Sequence, residues 1–180
     1  MFERRRLVPY LAGVVLATLV AACGSDGPTD PPTPPTTLTP CTQTSLIQES
    51  GGIPSLTLVF DDFSVPDSGR LDVTLDWTNA PSMVGFYLVP ANTCSLAEFN
   101  ARTCNFLIRS ETTTKPRKIS MPSFAAGNYR WIIGNFSSDP ESVALQIALS
   151  KGNCPALGGV AVASGRAADT WPTLQRAQHR

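Results

Sequence analysis

The sequence predicts an all-β sandwich between Cys41 and Cys154 of a 180-residue chain. Short segments there alternate apolar and polar residues with period two, which is typical of strands that bury one face. Clusters of glycine, proline, asparagine and aspartate separate these segments and supply turns. The clearest strand runs from 70 to 78, with one apolar face made of Leu71, Val73, Leu75 and Trp77.

The remaining segments follow the same pattern. Further strands are predicted at 56–65, 83–89, 128–137 and 141–150, and another apolar segment begins at Phe106. The turn residues at 138–140 predict that the strands 128–137 and 141–150 pair as a hairpin. One helical turn is predicted at Ser95, because Glu98 three positions later completes a capping box.

The four cysteines after residue 40 predict two disulfides. An even number of cysteines in an exported chain favours disulfides, although sequence alone allows three pairings. We favour Cys41 with Cys154, which bracket the domain, and Cys94 with Cys104, which bracket the loop that holds the helical turn. A zinc site is the weaker alternative, because the chain has no C-x-x-C pair.

The first 22 residues have the features of an export signal. Three arginines at 4–6 precede a 16-residue apolar run, 7–22, which is shorter than a membrane-spanning helix requires. The run ends in Leu19-Val20-Ala21-Ala22-Cys23, which resembles the lipobox of bacterial lipoproteins. The resemblance implies a lipid-modified, palmitate-bearing Cys23 that holds the protein at a membrane of the bacterial cell envelope. The Gly24-Ser25 that follows implies the outer membrane.

Two alternatives to this interpretation remain open. One is an ordinary cleaved signal in which Cys23 occurs by chance, and the other is an uncleaved anchor.

Outside the sandwich, the sequence predicts a spacer and a tail. Residues 23–40 carry six prolines and five threonines between 28 and 40, so the segment is expected to form an extended spacer of up to about 50 Å. Residues 155–180 contain few large apolar residues and are predicted to be a flexible C-terminal tail.

Charge and histidine content exclude several function classes. The formal net charge is zero, with 14 basic and 14 acidic residues, so no nucleic-acid partner is expected. The single histidine, His179, disfavours Ser-His-Asp and Cys-His catalysis. We therefore expect no catalytic residues, no metal and no cofactor.

The strand segments resemble the bacterial pre-peptidase C-terminal domains. The resemblance rests on 63–65, 69–77, 86–88 and 126–133 and covers 56–149. It implies a jelly-roll-like antiparallel β-sandwich, with the short helical turn in a loop. The chain departs from the family at Val84-Gly85, where many members carry an aspartate, so a calcium contact is not implied there.

Polar and aromatic side chains of the strands offer three candidate sites. Asp72 and Asp76 lie about 13 Å apart along one strand, too far for a glycosidase pair, so a solvated strand face is predicted. Asp61-Asp62, predicted in a bend, has the oxygen ligands of a calcium site, but turn chemistry is the default interpretation. Trp77 and Trp131 are in phase with aliphatic neighbours, which favours core packing over sugar stacking.

The strand 83–89 is apolar on both faces, which raises the question of what covers its second face. One interpretation is an exposed apolar patch that binds a partner, formed by Tyr87, Val89, Ile132 and Phe136. The alternative is burial of these residues under the long loops or the tail.

The function predicted from the sequence is a membrane-anchored envelope lipoprotein whose β-sandwich is a noncatalytic binding or interaction module. Its partners would be the membrane, through the lipidated N-terminus, and an envelope protein or glycan. A hydrolase that uses carboxylates and hydroxyls is one alternative, although no G-x-S-x-G motif marks a nucleophile. A purely structural envelope protein is the other.

Overall fold

The computed structural model describes residues 39–155, 157 and 173–180, and the backbone of 163–165. The predicted signal peptide at 1–22, Cys23 and nearly all of the spacer at 23–40 lie outside the described residues. Within the described part, no helix has the length and apolar character needed to cross a bilayer.

Ten strands in this part of the chain form two sheets. In spatial order, the four-stranded sheet contains β1 (Thr42–Ile53), β8 (Glu141–Lys151), β3 (Gly69–Trp77) and β6 (Arg117–Phe124). The six-stranded sheet contains β10 (Arg176–His179), β2 (Thr57–Val65), β7 (Gly127–Asn135), β4 (Val84–Pro90), β5 (Phe106–Thr112) and β9 (Ala163–Gly165). The predicted all-β sandwich is confirmed. Its strands pair antiparallel except β10, which lies parallel to β2.

The predicted hairpin between 128–137 and 141–150 is wrong. Both strands exist, as β7 and β8, but they belong to different sheets. The turn at 138–140 therefore carries the chain from one layer of the sandwich to the other. The sequence also gives no prediction of β1 or β6, the two edge strands of the four-stranded sheet.

The main core lies between the two sheets. The inner face of β3 alternates as the sequence predicts, with Leu71, Val73, Leu75 and Trp77 all buried. They pack with residues of the six-stranded sheet such as Phe86, Leu88 and Trp131. Each such side chain contributes about 1.5–3 kcal/mol by leaving water, so this layer supplies most of the driving force for folding.

A second core covers the outer face of the six-stranded sheet. Its cover is the loop that holds the single described helix, α1 (Leu96–Asn100), whose Phe99 is fully buried. The predicted capping box is confirmed, because the Ser95 hydroxyl accepts from the Glu98 backbone and the Glu98 carboxylate accepts from the Ser95 backbone. β4, at the centre of the six-stranded sheet, is thus buried on both faces.

The prediction of a flexible tail is wrong for residues 173–180. Leu174 is buried in the second core, and β10 extends the six-stranded sheet beyond the predicted domain boundary at 154. The side-chain amide of Asn100 holds Leu174 at both backbone groups, with distances of 2.9 and 3.0 Å. One buried leucine and an amide contact thus dock a segment that has little apolar content.

Candidate functional site

The predicted apolar patch is not a surface. Tyr87, Val89 and Ile132 are fully buried and Phe136 nearly so, which contradicts an exposed binding patch. They belong to the second core, which the α1 loop and Leu174 help to form. The alternative interpretation, burial under a loop and the tail, is correct.

Tyr87 shows how closely this second core is packed. Its ring lies 4.9 Å from that of Phe99 and 5.0 Å from that of Phe106, measured between centroids. Burial raises the pKa of the Tyr87 hydroxyl well above its usual value, and the nearby carboxylate of Glu111 adds to the effect. The hydroxyl is therefore neutral at physiological pH.

Both predicted disulfide pairings are confirmed. Cys41 is bonded to Cys154 and Cys94 to Cys104, with Cα atoms 4.6 and 5.2 Å apart. The second bond closes the loop that carries α1, so it fixes the cover of the second core. The first joins the start of the four-stranded sheet to the residue that follows β8 by three positions.

The remaining candidate residues pack in the core or pair with other side chains of the sandwich. Trp77 and Trp131 lie in the main core, as predicted. Asp61 and Asp62 lie within β2 rather than in a bend, because that strand continues to Val65. Asp62 accepts two hydrogen bonds from Arg130, at 2.8 and 2.9 Å, and these lower its pKa.

Among the residues that the structure describes, no group of three or more His, Cys, Asp and Glu side chains is arranged to hold a metal ion.

The predicted solvated face of β3 is wrong at Asp72, which is 2% exposed. Its carboxylate accepts from the guanidinium of Arg70 at 2.9–3.0 Å and from the hydroxyls of Ser120 and Ser150 at 2.6 and 2.7 Å. Burial alone raises the pKa of Asp72, but these hydrogen bonds and the Arg70 charge outweigh it and lower the pKa. Asp72 is therefore a buried anion whose partners the sandwich supplies.

Arg70 also fixes the chain that follows the last strand of this sheet. Its guanidinium donates to the carbonyl oxygens of Cys154 and Pro155, both at 2.8 Å. With the Cys41–Cys154 bond, these contacts hold the segment against the outer face of the four-stranded sheet. Leu157 consequently lies beside that face and forms part of a cavity wall.

The outer face of the four-stranded sheet is polar and largely open to solvent. The strand register places Gln48, Gln146, Thr74 and Lys118 in one row that crosses all four strands. The next row toward Cys41 contains Ser45, Ala148, Asp72 and Ser120. Gln48, Gln146 and Lys118 are exposed, so amide and ammonium groups point to solvent from the first row.

A cavity of about 350 Å³ lies over the part of these rows that β1, β8 and β3 contribute. Polar side chains line most of it: Gln43, Ser45, Gln48, Asp72, Thr74 and Gln146. The apolar lining residues are Ile147, Ala148 and Leu157. This concave, hydrogen-bonding surface is the candidate binding site.

The sequence alone does not mark the glutamines of this face as a site. The alternation that locates β8 also places Ala144, Gln146 and Ala148, all uncharged, on its outer face. The sequence does not reveal that β8 pairs with β1, and this pairing brings Gln146 beside Gln48. The site is therefore a product of strand register.

Two buried polar residues hold the loops at the Ile53 end of β1, the end opposite Cys41. The sequence alone does not mark either residue as important. Glu141 accepts hydrogen bonds from Thr78, Asn79 and Ser82. The Asn135 side chain donates to the carbonyls of 53, 54 and 139 at 2.8–3.3 Å. These contacts fix the loops in one arrangement.

Comparison with known proteins yields fold likenesses only. No protein-family model matches the chain, and no curated protein sequence matches it. A crystal structure of a mitogen derived from Yersinia pseudotuberculosis is similar, with 18% identity, a TM-score of 0.41, and coverage of 62% of this chain and 97% of that chain. The pre-peptidase C-terminal domain of a Bacillus anthracis collagenase is similar at 14% identity and a TM-score of 0.39, covering 63% of this chain and 90% of that one.

A third similar structure is a periplasmic inhibitor of g-type lysozyme, PliG, from Aeromonas hydrophila. It has 12% identity and a TM-score of 0.38, and the match covers 57% of this chain and 86% of that chain. The family that the sequence resembles is thus represented among the similar structures by the collagenase domain. Because all three TM-scores are below 0.5, these likenesses carry no argument about what this chain binds.

Proposed function

We propose that this chain is a bacterial envelope lipoprotein whose β-sandwich is a noncatalytic binding module, with its binding surface on the outer face of the four-stranded sheet. The lipobox-like segment ending in Cys23 supports the anchor, and the outer membrane is its proposed location. Acyl chains contribute about 0.8 kcal/mol per buried methylene, so a multiply acylated cysteine suffices to hold the protein at a membrane.

The observation that carries the binding assignment is the asymmetry of the two sheets. The second core covers the centre of the outer face of the six-stranded sheet, whereas the four-stranded sheet buries one face and leaves exposed amides around a cavity of about 350 Å³ on the other. A sheet braced by a disulfide and by the Arg70 contacts fixes the backbone positions from which those amides project. Such preorganisation reduces the entropic cost of binding.

The chemistry of the acidic residues supports a noncatalytic role. A general acid needs a carboxyl whose pKa is raised toward neutral pH. The pKa values of Asp62, Asp72 and Glu141 are instead lowered, because hydrogen bonds stabilise their charged forms. These three carboxylates are anions near neutral pH and have no proton to donate.

The anchor is tested with the full chain expressed in a Gram-negative host. The wild-type protein is expected in the membrane fraction, with an acylated N-terminal peptide that begins at Cys23 in mass spectra. Cys23→Ser is expected to accumulate as an unacylated precursor. Recovery of unmodified Cys23 on an uncut wild-type chain would overturn the anchor.

The binding face is tested in the same cells by photo-crosslinking. A photoreactive amino acid at position 146 is expected to yield a discrete adduct with an envelope component. The same group at position 178, which is exposed on β10 of the other sheet, serves as the matched control and is expected to yield none. Equal adduct patterns from both positions would contradict a binding role for this face.

A further inference from the structure

The acidic groups of the candidate face are paired within the face itself. Asp72 is ion-paired with Arg70, and Asp76 lies 3.4 Å from the ammonium of Lys115. The Arg70 guanidinium is further occupied by the carbonyls of Cys154 and Pro155. Within the cavity, therefore, the Asp72 charge is balanced and offers little net attraction to a charged ligand.

Two glutamines supply unused hydrogen-bonding capacity at the same place. Gln48 and Gln146 are neighbours across β1 and β8, and both are exposed. Their side chains make no hydrogen bond to any other described residue. Gln43 is oriented by its Nε2, which donates to the Ser150 hydroxyl at 3.3 Å. An amide presents a donor and an acceptor together, which matches neighbouring hydroxyls on a ligand.

The dimensions and composition of the face suit a polysaccharide chain rather than the surface of a protein partner. Four strands at about 4.8 Å spacing give the row from Gln48 to Lys118 a length of about 14 Å. Protein interfaces depend on aromatic and arginine anchors in desolvated pockets. On this face, the described residues include no aromatic side chain, and Arg70 is engaged internally. A polar cavity without such anchors favours a ligand rich in hydroxyls.

Building on the proposed function, we propose that the cavity around Gln43, Gln48 and Gln146 binds an uncharged, hydroxyl-rich segment of a glycan. The amides contact sugar hydroxyls, Ala148 leaves room for a ring, and Leu157 contacts its apolar face. Without aromatic stacking, the affinity for a short oligosaccharide is expected to be modest, with Kd values of about 0.01–1 mM. The site therefore suits a polymer that offers many repeated units.

The test measures binding of purified full-length lipoprotein, held in detergent micelles, to defined sugars by calorimetry. Chitohexaose and cellohexaose are the neutral probes, and polygalacturonate is the anionic probe. We expect one or both neutral probes to bind with an affinity that changes less than about twofold between 50 and 500 mM salt. Binding of polygalacturonate alone, with steep weakening by salt, would overturn the proposal.

Matched variants locate the binding. The double variant Gln48→Ala/Gln146→Ala is expected to raise the Kd for the neutral sugar at least about tenfold. Gln178→Ala, a control on the far sheet edge, is expected to change it less than twofold. All variants are first checked for an unchanged unfolding temperature.

The outcomes separate this proposal from the proposed function. If neither neutral sugar binds, but position 146 still crosslinks to an envelope protein, the glycan assignment is overturned and the binding module stands. If a neutral sugar binds equally to wild type and the double variant, the site is overturned. If no sugar binds and position 146 yields no adduct, both proposals fail.

Discussion

The buried carboxylate of Glu141 allows a sharp test of how this sandwich is stabilised. Its side chain accepts from the hydroxyls of Thr78 and Ser82, and from the backbone and side-chain nitrogens of Asn79 at 2.9 and 2.8 Å. Glu141→Gln preserves the shape but replaces one acceptor oxygen with a donor NH₂. An N–H of Asn79 would then face another donor, and the hydroxyl that shares that oxygen would have to turn and accept instead of donating.

The expected magnitude follows from the pKa. Burial alone raises the pKa of Glu141, but the hydrogen bonds from Ser82, Thr78 and Asn79 lower it from 4.5 to about 2. That difference corresponds to about 3 kcal/mol of stability. Because the folded pKa is the lower one, this contribution is complete above pH 4.5 and is lost as the pH falls toward 2. Glutamine cannot titrate, so the variant lacks the contribution at every pH.

Urea unfolding at pH 7 and pH 2.5, with the disulfides intact, measures the difference between wild type and Glu141→Gln. We expect about 3 kcal/mol at pH 7 and less than about 1 kcal/mol at pH 2.5, since the other carboxylates titrate alike in both proteins. Glu49→Gln, on a half-exposed carboxylate of β1, should change stability by less than about 0.5 kcal/mol at pH 7. A Glu141→Gln deficit that stays the same at both pH values would refute the electrostatic explanation.

Three further substitutions test the second core and the buried ion pair. Phe99→Ala removes the ring that packs edge-on to Tyr87 and should lower the free energy of unfolding in urea by about 3–5 kcal/mol; a loss below 1 kcal/mol would show that the α1 loop contributes little. Leu174→Ala should speed amide hydrogen exchange in β10 without affecting β3, and uniform exchange across both strands would contradict local docking. Asp72→Asn leaves the Arg70 guanidinium without its counter-charge and should cost about 3 kcal/mol in urea unfolding at pH 7; a variant as stable as wild type would show that the pair is dispensable.

The sequence predicts strands that have a clear local pattern of apolar and polar residues. It does not predict features that depend on which strands pair with each other. Strands such as β3 and β8 alternate clearly, and both disulfide pairs follow from which segments the cysteines bracket. β1 escapes prediction because threonine, glutamine, serine and glycine dominate it, and a register shift between Ser45 and Ile47 breaks its alternation. The turn at 138–140 is real, but local turn chemistry does not distinguish pairing within a sheet from a crossing between sheets.

The candidate site shows the same limit. Tyr87 and Ile132 are correctly identified as apolar on a second strand face, but the sequence alone does not reveal what covers them. Phe99 in the predicted helical turn was an available signal, because an aromatic residue within a disulfide-closed loop requires a surface to pack against. The glutamine rows carry no such signal, since exposed polar residues look alike until strand register brings them together.

The position of the Cys41–Cys154 bond has a mechanical consequence. A pull applied to the chain before Cys41 would otherwise reach β1 at its first residue and peel this edge strand from β8 one hydrogen bond at a time, starting at the Thr42–Lys151 pair. The bond transfers part of that load directly to the residues after β8. Because the bond joins the two strands just outside the Thr42–Lys151 pair, the β1–β8 ladder cannot be unzipped from this end while the disulfide is intact.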